Sequence, residues 1–140
     1  MRGVEVSVVE GLDQEIVAAL GRGLTDHALP VTGVPGFNPV AVVARDGGGG
    51  LIGAVSGTIN WNWLHVALFW IAADARRGGL GSTLLRRLEE VAVQRGCTNA
   101  HLDTFSYQAR PFYEGHGYTL FATLEDYPTG HQRFFLRKKL

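Results

Sequence analysis

The chain has 140 residues, the size of one domain (1–140), with 46% hydrophobic and 19% charged residues. That is an ordinary globular balance, able to bury a core. Thirteen basic and thirteen acidic residues cancel to a formal net charge of zero, which argues against a general nucleic-acid binder, and no run of 18 apolar residues offers a membrane span.

The opening MRGVEVSVVEG lacks the long apolar core and small-residue cleavage site of a secretory leader, and the single Cys97 has no partner for an internal disulfide. Both fit a reducing cytoplasm. Val4 to Val9 alternates loosely and predicts a first strand. From Asp13 to Leu29, Ile16, Val17, Leu20, Leu24 and Ala28 fall on one helical face, with Asp13 as N-cap and a kink or break expected at Gly21 and Gly23. Pro30 to Pro39 reads as a loop, and its Phe37 is a candidate lining residue for a substrate cleft.

Val40–Arg45 and Leu51–Trp61 are two strands about a four-glycine tip, Gly47 to Gly50, which predicts a long hairpin. Trp63 to Ala73 follows as a third strand. Strict alternation puts Leu64, Val66, Leu68 and Trp70 on one face and Trp63, His65, Ala67, Phe69 and Ile71 on the other, so the strand is expected to be central and covered on both sides.

The next residues change character. Arg76 and Arg77 precede Gly78, Gly79 and Gly81, and from Leu80 the apolar residues Leu84, Leu85 and Leu88 repeat at helical spacing. Strand, basic glycine-rich turn and helix in succession expose free N–H groups where the helix dipole favours an anion. The expected ligand is a phosphate or pyrophosphate. The helix runs to about Arg95 and stops at Gly96, with Arg86, Arg87, Glu89, Glu90 and Gln94 as its wet face. Ala100–Phe105 is a strand parallel to the one before the loop by the right-handed crossover rule. Gln108–His116 is a short helix, Tyr118–Leu124 a strand, Glu125–Gly130 a turn, and Gln132–Arg137 a last strand. The order predicts an α+β fold, a central mixed sheet flanked by helices with one parallel pair.

Two motifs carry a definite resemblance. Phe69, Ile71, Ala73, Arg76, Gly79 and Gly81 align with the strand-into-loop pattern of the GCN5-related N-acetyltransferases, and Ser106, Ala109, Phe112, Tyr113, Gly117 and Tyr118 with that family's later pattern. The sequence resembles a short bacterial-type member over nearly its whole length. Ala73 stands where the family often has proline, and Ser106 where it often has asparagine.

The resemblance implies an acyl-CoA N-acyltransferase fold and acetyl-CoA as cosubstrate, with no metal. It implies cofactor binding by Arg76, Arg77, Gly78, Gly79, Leu80, Gly81 and Ser82 around the pyrophosphate, by the backbone of Ile71 and Ala72 along the pantetheine arm, and by Ser106 and Tyr113. It implies direct attack by an amine in a ternary complex, with Tyr113 as general acid for the leaving thiolate. Cys97 has no role in such chemistry.

The general base is open between Asp103, a carboxylate inside a strand, and His65, whose imidazole titrates near neutrality. Trp63 and Phe69 share a face with His65 and are candidates for the acceptor pocket; Glu125 and Asp126 are candidates for holding a cationic amine. The favoured reading is acetylation of a primary amine of a small molecule, aminoglycoside-like antibiotics being one class, with no nucleic-acid or membrane partner. The alternatives are acetylation of a protein or peptide amine, and a non-catalytic CoA-binding module. A Walker phosphate loop and a Rossmann site both lack their required residues and order here. The last strand, with Arg133-Phe134-Phe135-Leu136, is either internal or an edge for a homodimer.

Overall fold

The computed structural model describes residues 3–34 and 36–140, in two compact units that divide between residues 35 and 36. In the first unit, Asp13 caps α1 (Gln14–Thr32) by accepting from Glu15 N at 2.8 Å and Ile16 N at 3.2 Å. The expected break does not occur: α1 runs unbroken past Gly21 and Gly23 and through Pro30. Each glycine costs a helix only about 1 kcal/mol against alanine, and the proline falls in the last turn, where it removes a single helical bond. Residues 4–10 are irregular, so the strand predicted at Val4–Val9 is not formed. Its alternation is right for a strand, but no ladder pairs it among the described residues, and an unpaired strand is not stable.

The second unit is a six-stranded sheet of order β1-β2-β3-β4-β6-β5. Strands β1 (Asn38–Arg45) and β2 (Leu51–Asn60) form the hairpin about the glycine tip, where Asp46 Oδ1 accepts from Gly48 N and Gly50 N. β3 (Trp63–Ile71) completes an antiparallel meander. A short 3-10 turn (Ala73–Ala75) leads to α2 (Leu80–Gln94), which packs on β1, β2 and β3. β4 (Asn99–Phe105), the short α3 (Arg110–Gly115), β5 (Thr119–Glu125) and β6 (Gln132–Lys139) follow. β6 lies between β4 and β5 and is internal, so its ladder groups are used within the sheet. No helix among the described residues is long and apolar enough to cross a membrane.

The core lies between the sheet and α2. Leu84, Leu85, Leu88 and Ala92 of the helix meet Val55, Ile59, Leu64, Val66, Ala100, Leu102 and Leu136 of the strands. β2 presents Gly53 and Gly57 to this helix, and a Cβ there would lie 3.3 Å from Leu84 Cδ1 or Leu88 Cδ2 respectively. Glycine at these two positions lets the helix approach the sheet closely.

The expected wet face of α2 needs one correction. Glu89 is buried, its carboxylate held by the Tyr118 hydroxyl and Lys138 Nζ. It falls on the stripe of Gly81, Leu84, Leu85, Leu88 and Ala92, the spacing of a core-facing side.

Candidate active site

The site begins with a fork in the sheet. β3 and β4 pair in parallel at only three steps, Trp63 with Asn99, Leu64 with Ala100 and His65 with His101. Beyond His65 and His101 the strands part. Over the same stretch the pairing of β3 with β2 slips, Val55 opposing Phe69 and Gly57 opposing Val66, so β3 carries one extra residue at Ala67–Leu68. Such a bulge bends its strand and reverses which residues face the core.

Strict alternation therefore fails at that point. Leu64 and Val66 face the core, but so do Phe69 and Ile71, whereas Leu68 is 76% exposed and Trp70 51%. Phe69 consequently leaves the face of His65 and packs edge-on against Phe112 and Tyr113 at 5.8 and 6.4 Å between ring centroids. It supports the site from below and does not share a pocket wall with Trp63.

The fork has an unpaired edge. Ala72 N donates to Ile52 O at 2.8 Å and Ala72 O accepts from Ala75 N, so both backbone groups of Ala72 are committed elsewhere. Alternation along an antiparallel ladder instead turns the N–H and C=O of Phe69 and Ile71 toward the gap. Arg76 Nε donates to Ile71 O at 2.9 Å at its mouth.

The glycine-rich loop stands there as expected. Arg77 and Gly79 both have positive φ, 69° and 82°, and Gly79 is the N-cap of α2. The first helical bond is Thr83 N to Gly79 O, so the N–H groups of Leu80, Gly81 and Ser82 precede it and are free to bind an anion. A Cβ on Gly78 or Gly79 would meet nothing within 4 Å, while one on Gly81 would meet Ile71 Cδ1 at 3.1 Å and Phe112 at 3.5 Å. The first two glycines leave open space above the N-terminus; the third lets the helix start close against the fork. Arg76 and Arg77 are exposed beside it. Free N–H groups, open space, two cations and an unpaired strand edge in line fit a pyrophosphate joined to an extended amide chain, the chemistry of CoA. Ser82 Oγ is 2.9 Å from His116 Nε2, tying the loop helix to α3.

Tyr113 rises from α3 on the α2 side of the fork, half-buried against Phe69, Phe112 and Tyr118. Burial, and then the charge of Asp103, push its phenol above the ordinary tyrosine range. On the opposite side, β4 displays His101 and Asp103 and β3 displays Trp63 and His65. The His65 and His101 rings stack at 4.7 Å with 22° between planes, and Trp63 meets His101 edge-on at 5.7 Å.

Asp103 is not free. Its Oδ2 accepts from Arg133 Nε at 2.8 Å and lies in ionic contact with Nη2 at 2.7 Å, while Arg133 Nη1 donates to the Tyr127 hydroxyl at 2.9 Å. The guanidinium also lies 5.0 to 5.4 Å from the ring centroids of Phe105, Tyr127 and Phe135. Asp103 is thus the anchor of an arginine, a weaker position for a base than His65 holds.

Three other candidates have structural partners. Ser106 Oγ accepts from Gln132 N at 3.0 Å and lies 3.1 Å from His131 Nδ1, which pins the end of β4 to the turn before β6. Glu125 accepts both bonds of Gln132 Nε2. Asp126, at φ 56°, accepts from Gly130 N and closes that turn. Cys97 is buried, with its thiol pushed up by burial. Phe37 is exposed in the lead into β1. His101, Arg133 and Tyr127 lie outside both sequence motifs. His101 was visible by alternation with Asp103; Arg133 required the β4–β6 register, which no local pattern supplies.

Comparison with known proteins agrees with this geometry. The model of the acetyltransferase (GNAT) family matches residues 25–118. A blasticidin-S acetyltransferase of Streptomyces morookaense is 43% identical over 93 residues, covering 66% of this chain and 68% of that protein. An acetyltransferase of Agrobacterium fabrum is 28% identical over 127 residues, 91% of this chain and 93% of its own. Among solved structures, an acetyltransferase from Bacillus cereus superposes with a TM-score of 0.83 at 30% identity, over 96% of this chain and 98% of its own.

Proposed function

The chain belongs to the acetyltransferase (GNAT) family and is an N-acetyltransferase, and on that premise we propose that it acetylates a primary amine of a small molecule by direct attack in a ternary complex. The observation that carries this reading is the fork, with an anion-binding loop at its mouth and ionisable groups on both of its sides. Acetyl-CoA, when bound, supplies a thioester whose carbonyl the amine attacks.

The chain's own residues do the rest. The N–H groups of Leu80, Gly81 and Ser82, with Arg76 and Arg77, hold the pyrophosphate. Arg76 must give up Ile71 O for the pantetheine amides to pair along the β3 edge. The gap-facing N–H of Phe69 or Ile71 donates to the developing oxyanion. Tyr113 keeps its proton at neutral pH and gives it to the leaving sulfur. His65 takes the proton of the attacking amine. Trp63, with Tyr127 and Arg133, borders the acceptor on the side opposite α2.

The acceptor class is supported by the relative named for blasticidin S, and that compound is the first amine to test. The purified protein is incubated with acetyl-CoA and a panel of blasticidin S, aminoglycosides, polyamines, amino acids and a lysine peptide, with free thiol followed by a chromogenic reagent. Turnover on one small amine and not on the peptide is expected. Turnover confined to the peptide points to a protein substrate, and CoA binding without turnover on any amine points to a binding module.

A further inference from the structure

We propose that His101 is a positioning residue for His65, the two stacked imidazoles at the apex of the fork working as one proton acceptor for the incoming amine. The inference rests on the acetyl-transfer reading above and extends it to a residue with no role in that scheme. His65 and His101 are the last register pair before the strands separate, so they form the floor of the gap on the acceptor side. Their rings lie nearly parallel at 4.7 Å, and Trp63 closes His101 from the edge at 5.7 Å. A side chain in a strand has few other means of fixing χ2, and a stacked ring holds the imidazole of His65 in one plane.

The charges around the pair favour the same division of labour. His101 is faced by His65 from β3 and by Asp103 on its own strand; its register partner on β6 is Arg137, while Arg133 of the same strand is held on Asp103. Burial and His65 draw the His101 imidazole below its ordinary range, against the pull of Asp103. A group held lower is uncharged at neutral pH, so His101 adds no positive charge of its own beside the His65 ring there. In the step itself an amine N–H bond breaks and an N–H bond forms on the His65 ring. The imidazolium then returns the proton to solvent.

Two measurements test this. In the first, imidazole resonances are titrated by NMR in the parent protein and in His65→Gln. Removing the neighbour whose charge draws it down should move the His101 midpoint upward; an unmoved midpoint overturns the proposal, whatever the enzyme's acceptor. In the second, His101→Ala should lower kcat roughly 10- to 100-fold with the KM for acetyl-CoA unchanged, as misplacement of a reacting group does. His101→Phe, which keeps a flat ring, should recover most of that loss. Full kcat in the alanine variant also overturns the proposal. Failure of every amine to react, with coupled titration intact, would instead strike the acetyl-transfer reading.

Discussion

Glu89 of α2 accepts a 2.7 Å hydrogen bond from the Tyr118 hydroxyl, and both of its oxygens accept from Lys138 Nζ at 3.0 Å. One buried carboxylate thus joins the cofactor-loop helix to the residue that ends the α3 turn and to β6. A buried charge persists only when its partners are in place. Glu89→Ala should cost about 3 kcal/mol or more, and Tyr118→Phe about 1–3 kcal/mol, both read by chemical denaturation. Burial first, and the Glu89 charge second, hold the Tyr118 phenol far above its ordinary range. Above about pH 10 the unfolded chain therefore releases a proton that the folded chain keeps, and stability must fall as pH rises. Tyr118→Phe should flatten that part of the stability curve; an unchanged slope would deny the coupling.

Much of the architecture is legible in the sequence because its signals are local. The Asp13 cap, the glycine hairpin tip, the loop glycines and the Leu84-Leu85-Leu88 stripe each report on their own few residues. What is not legible depends on partners distant in the chain. The bulge at Ala67–Leu68 is hidden because β3 is apolar on both faces, so alternation continues in the sequence after it has reversed in space. Glu89 reads as solvent-facing until Tyr118 and Lys138 are brought to it. Asp103 reads as a free carboxylate until β6 places Arg133 beside it.

Gly79 separates conformation from contact. Its φ of 82° is left-handed, and a Cβ there would meet nothing within 4 Å. Gly79→Ala should cost about 1–2 kcal/mol of backbone strain and weaken CoA binding by re-aiming the N–H groups that follow. Gly81→Ala should disturb the loop by a different route, pressing on Ile71 Cδ1 at 3.1 Å. Calorimetric titration with CoA beside a denaturation curve distinguishes the two. A Gly79 variant with parent affinity would remove the loop from the pyrophosphate site.

Arg133 makes two directed bonds, one to Asp103 and one to Tyr127, and its Nη2 adds an ionic contact of 2.7 Å to the same Asp103 oxygen. Lysine carries the charge but cannot present that planar fork. Arg133→Lys should raise the acceptor KM roughly 10-fold, the equivalent of one lost hydrogen bond, and leave the KM for acetyl-CoA as it was. An equal rise in both constants would mean that the arginine supports the fold of the whole site and not its acceptor side.

Tyr113 is the sharpest test of the chemistry. Its phenol is held above the ordinary range, mainly by burial and then by Asp103, so the protonated form that can donate persists through neutrality and the basic limb of kcat should lie above about pH 10. The group is then available as an acid wherever the amine is deprotonated enough to attack. Tyr113→Phe keeps the ring that packs on Phe69, Phe112 and Tyr118 while removing only the hydroxyl. Loss of a positioned acid lowers rate about 10²- to 10⁴-fold. The variant should therefore bind acetyl-CoA with nearly parent affinity, turn over slowly, and show no basic limb from this group. If instead it keeps the parent kcat and the same limb, the proton for the leaving thiolate comes from water in the fork and Tyr113 is a packing residue.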